Sequence, residues 1–287
     1  MPIDLSTLNI IFGIFVFLFG ISIGSFLNVV AYRIPLNISI VRPRSFCPNC
    51  KKTVPNYALI PVIGYILTHA KCNKCNYKIP ITYPIVELLT GILTLFIFFR
   101  FLTPINVLEA FPAFLTVETF QYGKFHFNNF VPFFVSLWIL YTGIPLSIID
   151  LKYRILPNKI IYPGIIIGFL ISCFNHNLGW SGSLIGIITG AGGLFFIAKI
   201  YELLRCKQGI GMGDVKYLGF IGAVLGWKGI VFTLFYASII GAIIGILWGI
   251  ISKKGLATAI PFGPFLATAA LAISTYGDEI LAFIFKN

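Results

Sequence analysis

Long apolar runs alternate with short polar connections along the whole chain. The apolar windows cover about 8–30, 83–102, 130–149, 160–174, 181–204, 231–251 and 259–285. Roughly 20 apolar residues in a helix are needed to cross ~30 Å of hydrocarbon, so these windows predict membrane-spanning helices. The first run lacks a basic n-region and a small-residue cleavage site, so it is expected as a retained helix and not a signal peptide. A further run, 215–225, is apolar but too short to cross alone. It is expected as a partial or broken helix buried among the others, where protein or a watery cavity satisfies its backbone.

Composition strengthens this picture. The chain is 58% hydrophobic and 10% charged, with a mean hydropathy of +0.94. The expected fold class is an all-α integral membrane protein with about eight transmembrane segments and a small zinc-binding cytoplasmic loop domain. A net charge of +12 would suit nucleic acid if it were spread over a surface, but the charges are sorted into loops. Arg33, Arg42, Arg44, Lys51, Lys52, Lys71, Lys74 and Lys78 crowd one connection that has no acidic residue. Lys152, Arg154 and Lys159 fill another, Arg205 and Lys207 a third, and Lys253 and Lys254 a fourth. The 103–129 connection instead carries Glu109, Glu118 and Lys124. The positive-inside rule places the basic loops in the cytoplasm and 103–129 outside. Eight segments then alternate, with both termini outside. The partner implied is a lipid bilayer, and nucleic acid is excluded.

The expected organisation is a first transmembrane helix over 1–34, a cytoplasmic zinc-binding loop domain over 35–82, a second helix and extracytoplasmic loop over 83–129, and a larger membrane domain over 130–287. The loop carries Cys47-Pro48-Asn49-Cys50 and, after 21 intervening residues, Cys72-Asn73-Lys74-Cys75. Paired CxxC knuckles supply four thiolates for tetrahedral Zn²⁺. A loop this short has little apolar core, so metal would contribute the missing folding free energy. Two disulfides are the alternative, which a reducing cytoplasm disfavours. Cys173 and Cys206 read as an apolar filler and a lone thiol.

Nine carboxylates among 287 residues make each one beside an apolar run informative, because an ionisable group against hydrocarbon is costly and marks function by default. Asp150 ends one such run, and Asp214 precedes another in Gly211-Met212-Gly213-Asp214. Two carboxylates brought together can share a proton and hydrolyse a peptide, one as general base and the other as acid. The bland reading is that each borders a helix end. Glu87, early in the second apolar run, is a functional candidate on the same ground, or else a partner for a nearby cation. His69, His126 and His176 stand isolated in sequence and have no supported role.

In chain order stand Gly24-Ser25-Phe26-Leu27-Asn28, Tyr32-Arg33-Ile34-Pro35, the four cysteines, Tyr83-Pro84-Ile85-Val86-Glu87, Asp150-Leu151 with Leu156-Pro157-Asn158, Gly211-Met212-Gly213-Asp214-Val215-Lys216, and Pro261-Phe262-Gly263-Pro264. Together they resemble the bacterial type IV prepilin peptidase family. The resemblance implies a membrane aspartic endopeptidase that removes the basic leader of prepilins or pseudopilins on the cytoplasmic side of the bacterial inner membrane. It further implies N-methylation of the new terminus by S-adenosylmethionine, with Glu87 a candidate to orient the new cationic amine or to contact the methyl donor. In the loop, Ala58, Leu59 and Ala70 depart from the family pattern. A peptidase-only relative, a proton-coupled transporter and a non-catalytic zinc scaffold are the alternatives.

Overall fold

Glycine spacing sets how the first helices pack. The computed structural model describes residues 5–102, 127–175, 178–205, 211–252 and 260–285. The acidic 103–129 connection, His126, His176 and Cys206 lie wholly or largely outside these. The chain divides into two compact units, Met1–Phe133 and Phe134–Asn287. In the first, α1 (Leu5–Arg33) packs along α3 (Thr82–Phe101). A Cβ on Gly20 would lie 2.8 Å from the Gly91 Cα, and one on Gly24 would lie 2.9 Å from the Glu87 Cα. Small residues at this seam let the two backbones approach where water cannot drive association. The loop between them holds a 3₁₀ turn (Asn56–Leu59) and the short helix α2 (Ile63–Leu67).

Arg33 ends α1 and is buried without a carboxylate partner among the described residues. It donates instead to the carbonyls of Ser39 and Arg44, at 2.8 and 3.2 Å, and its guanidinium lies 5.4 Å from the Phe46 ring centroid. Arginine's planar fork suits this role, and it folds the start of the loop back over the helix end.

The second unit is built around the first half of α8 (Met212–Ser252). Tyr217, Leu218, Phe220, Ile221, Ala223 and Val224 are all buried, so this half is apolar all round and enclosed by its neighbours. Glycines again set the spacing. A Cβ on Gly186 would lie 2.1 Å from the Gly222 carbonyl oxygen, and one on Gly168 would lie 2.6 Å from Val224. These bring α5 (Asn158–Cys173) and α6 (Gly179–Ile187) onto α8. A π-helical stretch, Ile188–Gly193, joins α6 to α7 (Leu194–Arg205). The later part of α4 (Phe127–Tyr153) and α9 (Gly263–Phe285) complete the unit.

α8 is not one rod. Gly226 has φ 68 and ψ −176, a left-handed φ that glycine adopts without penalty. A straight 40-residue span over Met212–Ile251 would run ~60 Å, twice the hydrocarbon thickness, so the chain turns at 226 and continues as a second helix. Near that break the Ala223 carbonyl accepts the hydroxyls of Ser172 and Ser183 at 2.8 and 2.6 Å. The 215–225 run is thus the enclosed, broken-off helix that its length predicts.

Five helices among the described residues are long and apolar enough to cross a membrane, and the chain is a multi-pass, helical membrane protein. The expected count of eight adds α5, α9 and the division at Gly226 to these five.

Candidate active site and metal centre

Asp150 lies near the C-terminal end of α4, and Asp214 lies in the first turn of α8. Both line one cleft of about 470 Å³, together with Arg154, Leu194, Leu234, Ser238 and the 260–262 segment. Their charges are close enough to interact. Sixty-odd residues of chain separate them, so only packing within this unit unites them. The backbone N–H of Gly263 donates to Asp150 Oδ2 at 2.8 Å. Gly263 opens α9, so the carboxylate sits at the positive end of that helix. A Cβ at 263 would lie 2.7 Å from the same oxygen, so any side chain there would push against the carboxylate.

The glycines of the second motif have separate tasks. Gly213 packs on Leu156, where a Cβ would lie 3.0 Å from the Leu156 Cβ. A Cβ at Gly211 would lie 3.2 Å from Asp214 Oδ2. Lys216 Nζ donates to Asn158 Oδ1 at 3.1 Å, which ties the two motifs together a second time. Of the three cations flanking the aspartates in sequence, Arg154 lines the cleft. Lys152 lies over the Tyr153 ring, and Lys216 lies over Tyr162.

In the first unit the four cysteines converge. The sulfurs of Cys47, Cys50, Cys72 and Cys75 all lie within 4.8 Å of one another. Cys47 to Cys75 is 3.7 Å and Cys50 to Cys72 is 4.0 Å. Four sulfurs at ~2.3 Å from one tetrahedral ion would stand ~3.8 Å apart, whereas a disulfide needs about 2.05 Å. The geometry fits a metal, and all four thiols are free.

Two matching hairpins make the site. Phe46 pairs with Thr53, and Lys71 pairs with Lys78. The Cys47 N–H donates to the Lys52 carbonyl, and the Cys72 N–H donates to the Tyr77 carbonyl, both at 2.9 Å. Lys51 and Asn76 take the same positive φ, 58 and 53. The Tyr77 backbone N–H holds the Cys75 thiol down to about 6, which favours the thiolate that a metal requires, whereas the Cys50 thiol is raised to about 11 in spite of the Lys52 backbone N–H.

Glu87 is buried in α3. Its Oε2 accepts the Val62 backbone N–H at 2.7 Å, and its carboxylate also takes the Ser25 hydroxyl. Val62 has φ 62, a costly angle for a β-branched residue and of a kind that persists only where its surroundings impose it. The contact is between backbone and side chain across distant positions, so nothing in the sequence announces it. The Gly263 donor to Asp150 is invisible in the sequence for the same reason. His69, also at positive φ, is exposed and stands apart from the metal cluster.

Residues 18–101 match the Bacterial Peptidase A24 N-terminal domain, and residues 133–246 match the Type IV leader peptidase family. A "Prepilin leader peptidase/N-methyltransferase" from Bacillus subtilis is 32% identical, covering 94% of this chain and 96% of its own. A protein of the same name from Legionella pneumophila is 30% identical over 92% and 91% of the two chains. One from Pseudomonas putida is 28% identical over 92% and 90%. No solved structure matches the chain.

Proposed function

Since this chain belongs to the type IV leader peptidase family, we propose that it cleaves the leader from prepilins or pseudopilins and N-methylates the exposed terminus. The observation that carries the peptidase half is the single cleft lined by Asp150 and Asp214. Peptide hydrolysis by two carboxylates needs one ionised and one protonated. The first takes a proton from the attacking water, and the second gives one to the scissile carbonyl oxygen. The pair acts as a unit, so neither aspartate is assigned alone to either role. The Gly263 N–H fixes one oxygen of Asp150, and Arg154 brings a positive charge beside it. Leu194, Leu234 and Phe262 supply apolar walls to the same cleft.

The cysteine cluster is proposed as a structural zinc site that holds the 35–82 loop together, because four cysteines leave no open position for chemistry. S-adenosylmethionine, when bound, would supply the electrophilic methyl group that the new amine attacks. Glu87 is proposed to serve that step by holding the loop at Val62, since its carboxylate is engaged there. The 130–287 region is proposed as the peptidase domain, and the basic loops support an active site facing the cytoplasm of a bacterial inner membrane.

The test is to incubate purified protein with a prepilin and S-adenosylmethionine and to weigh the product. Loss of the leader with a gain of one methyl supports the full reading. Loss of the leader alone makes it a peptidase only. No cleavage overturns it.

A further inference from the structure

We infer that α2 of the metal-bearing loop is an interfacial anchor that seats its apolar face in an anionic phospholipid leaflet. Two independent observations support this, one of depth and one of charge. Val62, which immediately precedes α2, is bonded to Glu87. Glu87 follows the first residue of α3, Thr82, by five positions, or ~7.5 Å along the helix axis. That helix is apolar and spans 20 residues, about the full hydrocarbon thickness. The loop is therefore drawn down beside the second turn of a spanning helix, to the boundary between headgroups and acyl chains.

α2 presents the right face at that level. Gly64, Tyr65 and Thr68 turn inward. A Cβ on Gly64 would meet the Ala58 backbone at 2.4 Å, the Tyr65 hydroxyl donates to the Ile79 carbonyl, and Thr68 is buried. Ile63, Ile66 and Leu67, at i, i+3 and i+4, share the other face and are 53%, 64% and 56% exposed. Ile60 continues this apolar surface just before α2, at 46%. Apolar side chains in this number, outside a spanning segment, mark a contact surface. Charge selects the partner. Lys71, Lys74 and Lys78 follow α2 and are exposed, and the loop has no carboxylate to offset them. An apolar face flanked by lysines is the pattern of helices that lie in anionic interfaces. A basic leader would be repelled by the same lysines, so the substrate is not the occupant.

The inference rests on the membrane reading and not on catalysis, and its test needs no substrate turnover. The full-length protein carrying Ile66→p-benzoylphenylalanine is placed in nanodiscs of phosphatidylcholine, alone or mixed equally with phosphatidylglycerol. It is then irradiated and weighed intact. The expected result is an adduct one phospholipid heavier, about threefold more abundant with the anionic lipid. The same photolabel at exposed Lys52, on the polar hairpin, should give little. Metal content equal to that of the parent shows that the loop is folded, and Leu67→p-benzoylphenylalanine repeats the measurement at the neighbouring site. Three results would overturn the inference: lipid yield no higher than at Lys52, yields equal in the two bilayers, or crosslinks that go to an added prepilin or a second copy of the chain in place of lipid.

Discussion

Single atoms decide most of what happens in the cleft. Asp150→Asn and Asp214→Asn keep the side-chain shape but remove the proton chemistry. Each should therefore lower prepilin cleavage by on the order of 10²–10⁴-fold while the protein still inserts, as initial rates on reconstituted enzyme would show. Normal cleavage by either variant would remove that aspartate from the mechanism. Gly263→Ala is a finer probe, because its methyl would lie 2.7 Å from Asp150 Oδ2. Displacing a reacting group by about 1 Å costs up to 10²-fold. We expect a loss of that order in kcat with little change in KM, and an unchanged rate would show that this contact does not position the carboxylate. The two aspartates are legible in sequence because a charge against an apolar run stands out. The Gly263 donor is not, because a backbone N–H has no residue type.

Helices here are held by what their glycines omit. A Cβ at Gly222 would meet the Gly186 carbonyl oxygen at 2.2 Å, and backbone cannot rotate away as a side chain can. Gly222→Ala should lower stability by about 1–3 kcal/mol through overpacking, read as a lower melting temperature in detergent. Gly192, with nothing within 4 Å of its Cβ position, is the control, and Gly192→Ala should be neutral within about 1 kcal/mol. Equal effects at both sites would mean that the close crossing is not what holds α6 against α8. The places of the long helices were readable from the apolar runs, and so was the enclosed 215–225 segment, whereas five helices among the described residues, and not eight, are long and apolar enough to cross a membrane. Which faces touch was not, since glycine is frequent in membrane helices whether or not it sits at a crossing. The hairpins of the metal loop fall between these cases. CxxC spacing announces four ligands, but the matched turns at Lys51 and Asn76 emerge only from the backbone. Purified protein should hold about one zinc, and Cys47→Ser or Cys75→Ser should lose it, because structural sites use all four ligands. Metal analysis that finds no zinc in reduced protein would sink this assignment.

At the scale of the whole molecule, the metal loop and the carboxylates lie in different compact units. Losing zinc should unfold the loop without removing the carboxylates proposed to hydrolyse the peptide. Cys75→Ser should therefore depress methylation by a larger factor than cleavage when both are read from one mass spectrum of the product. Equal losses would show that the two activities share the loop. Asp214 stands on the first half of α8, while Leu234 and Ser238, on the opposite side of Gly226, line the same cleft. The first half is clamped by two serine hydroxyls at Ala223, and the second is joined to it through a residue with no side chain. The cleft is thus lined from both sides of a single glycine. A side chain at 226, forced into a left-handed φ, would strain the one joint through which these two walls of the cleft are connected.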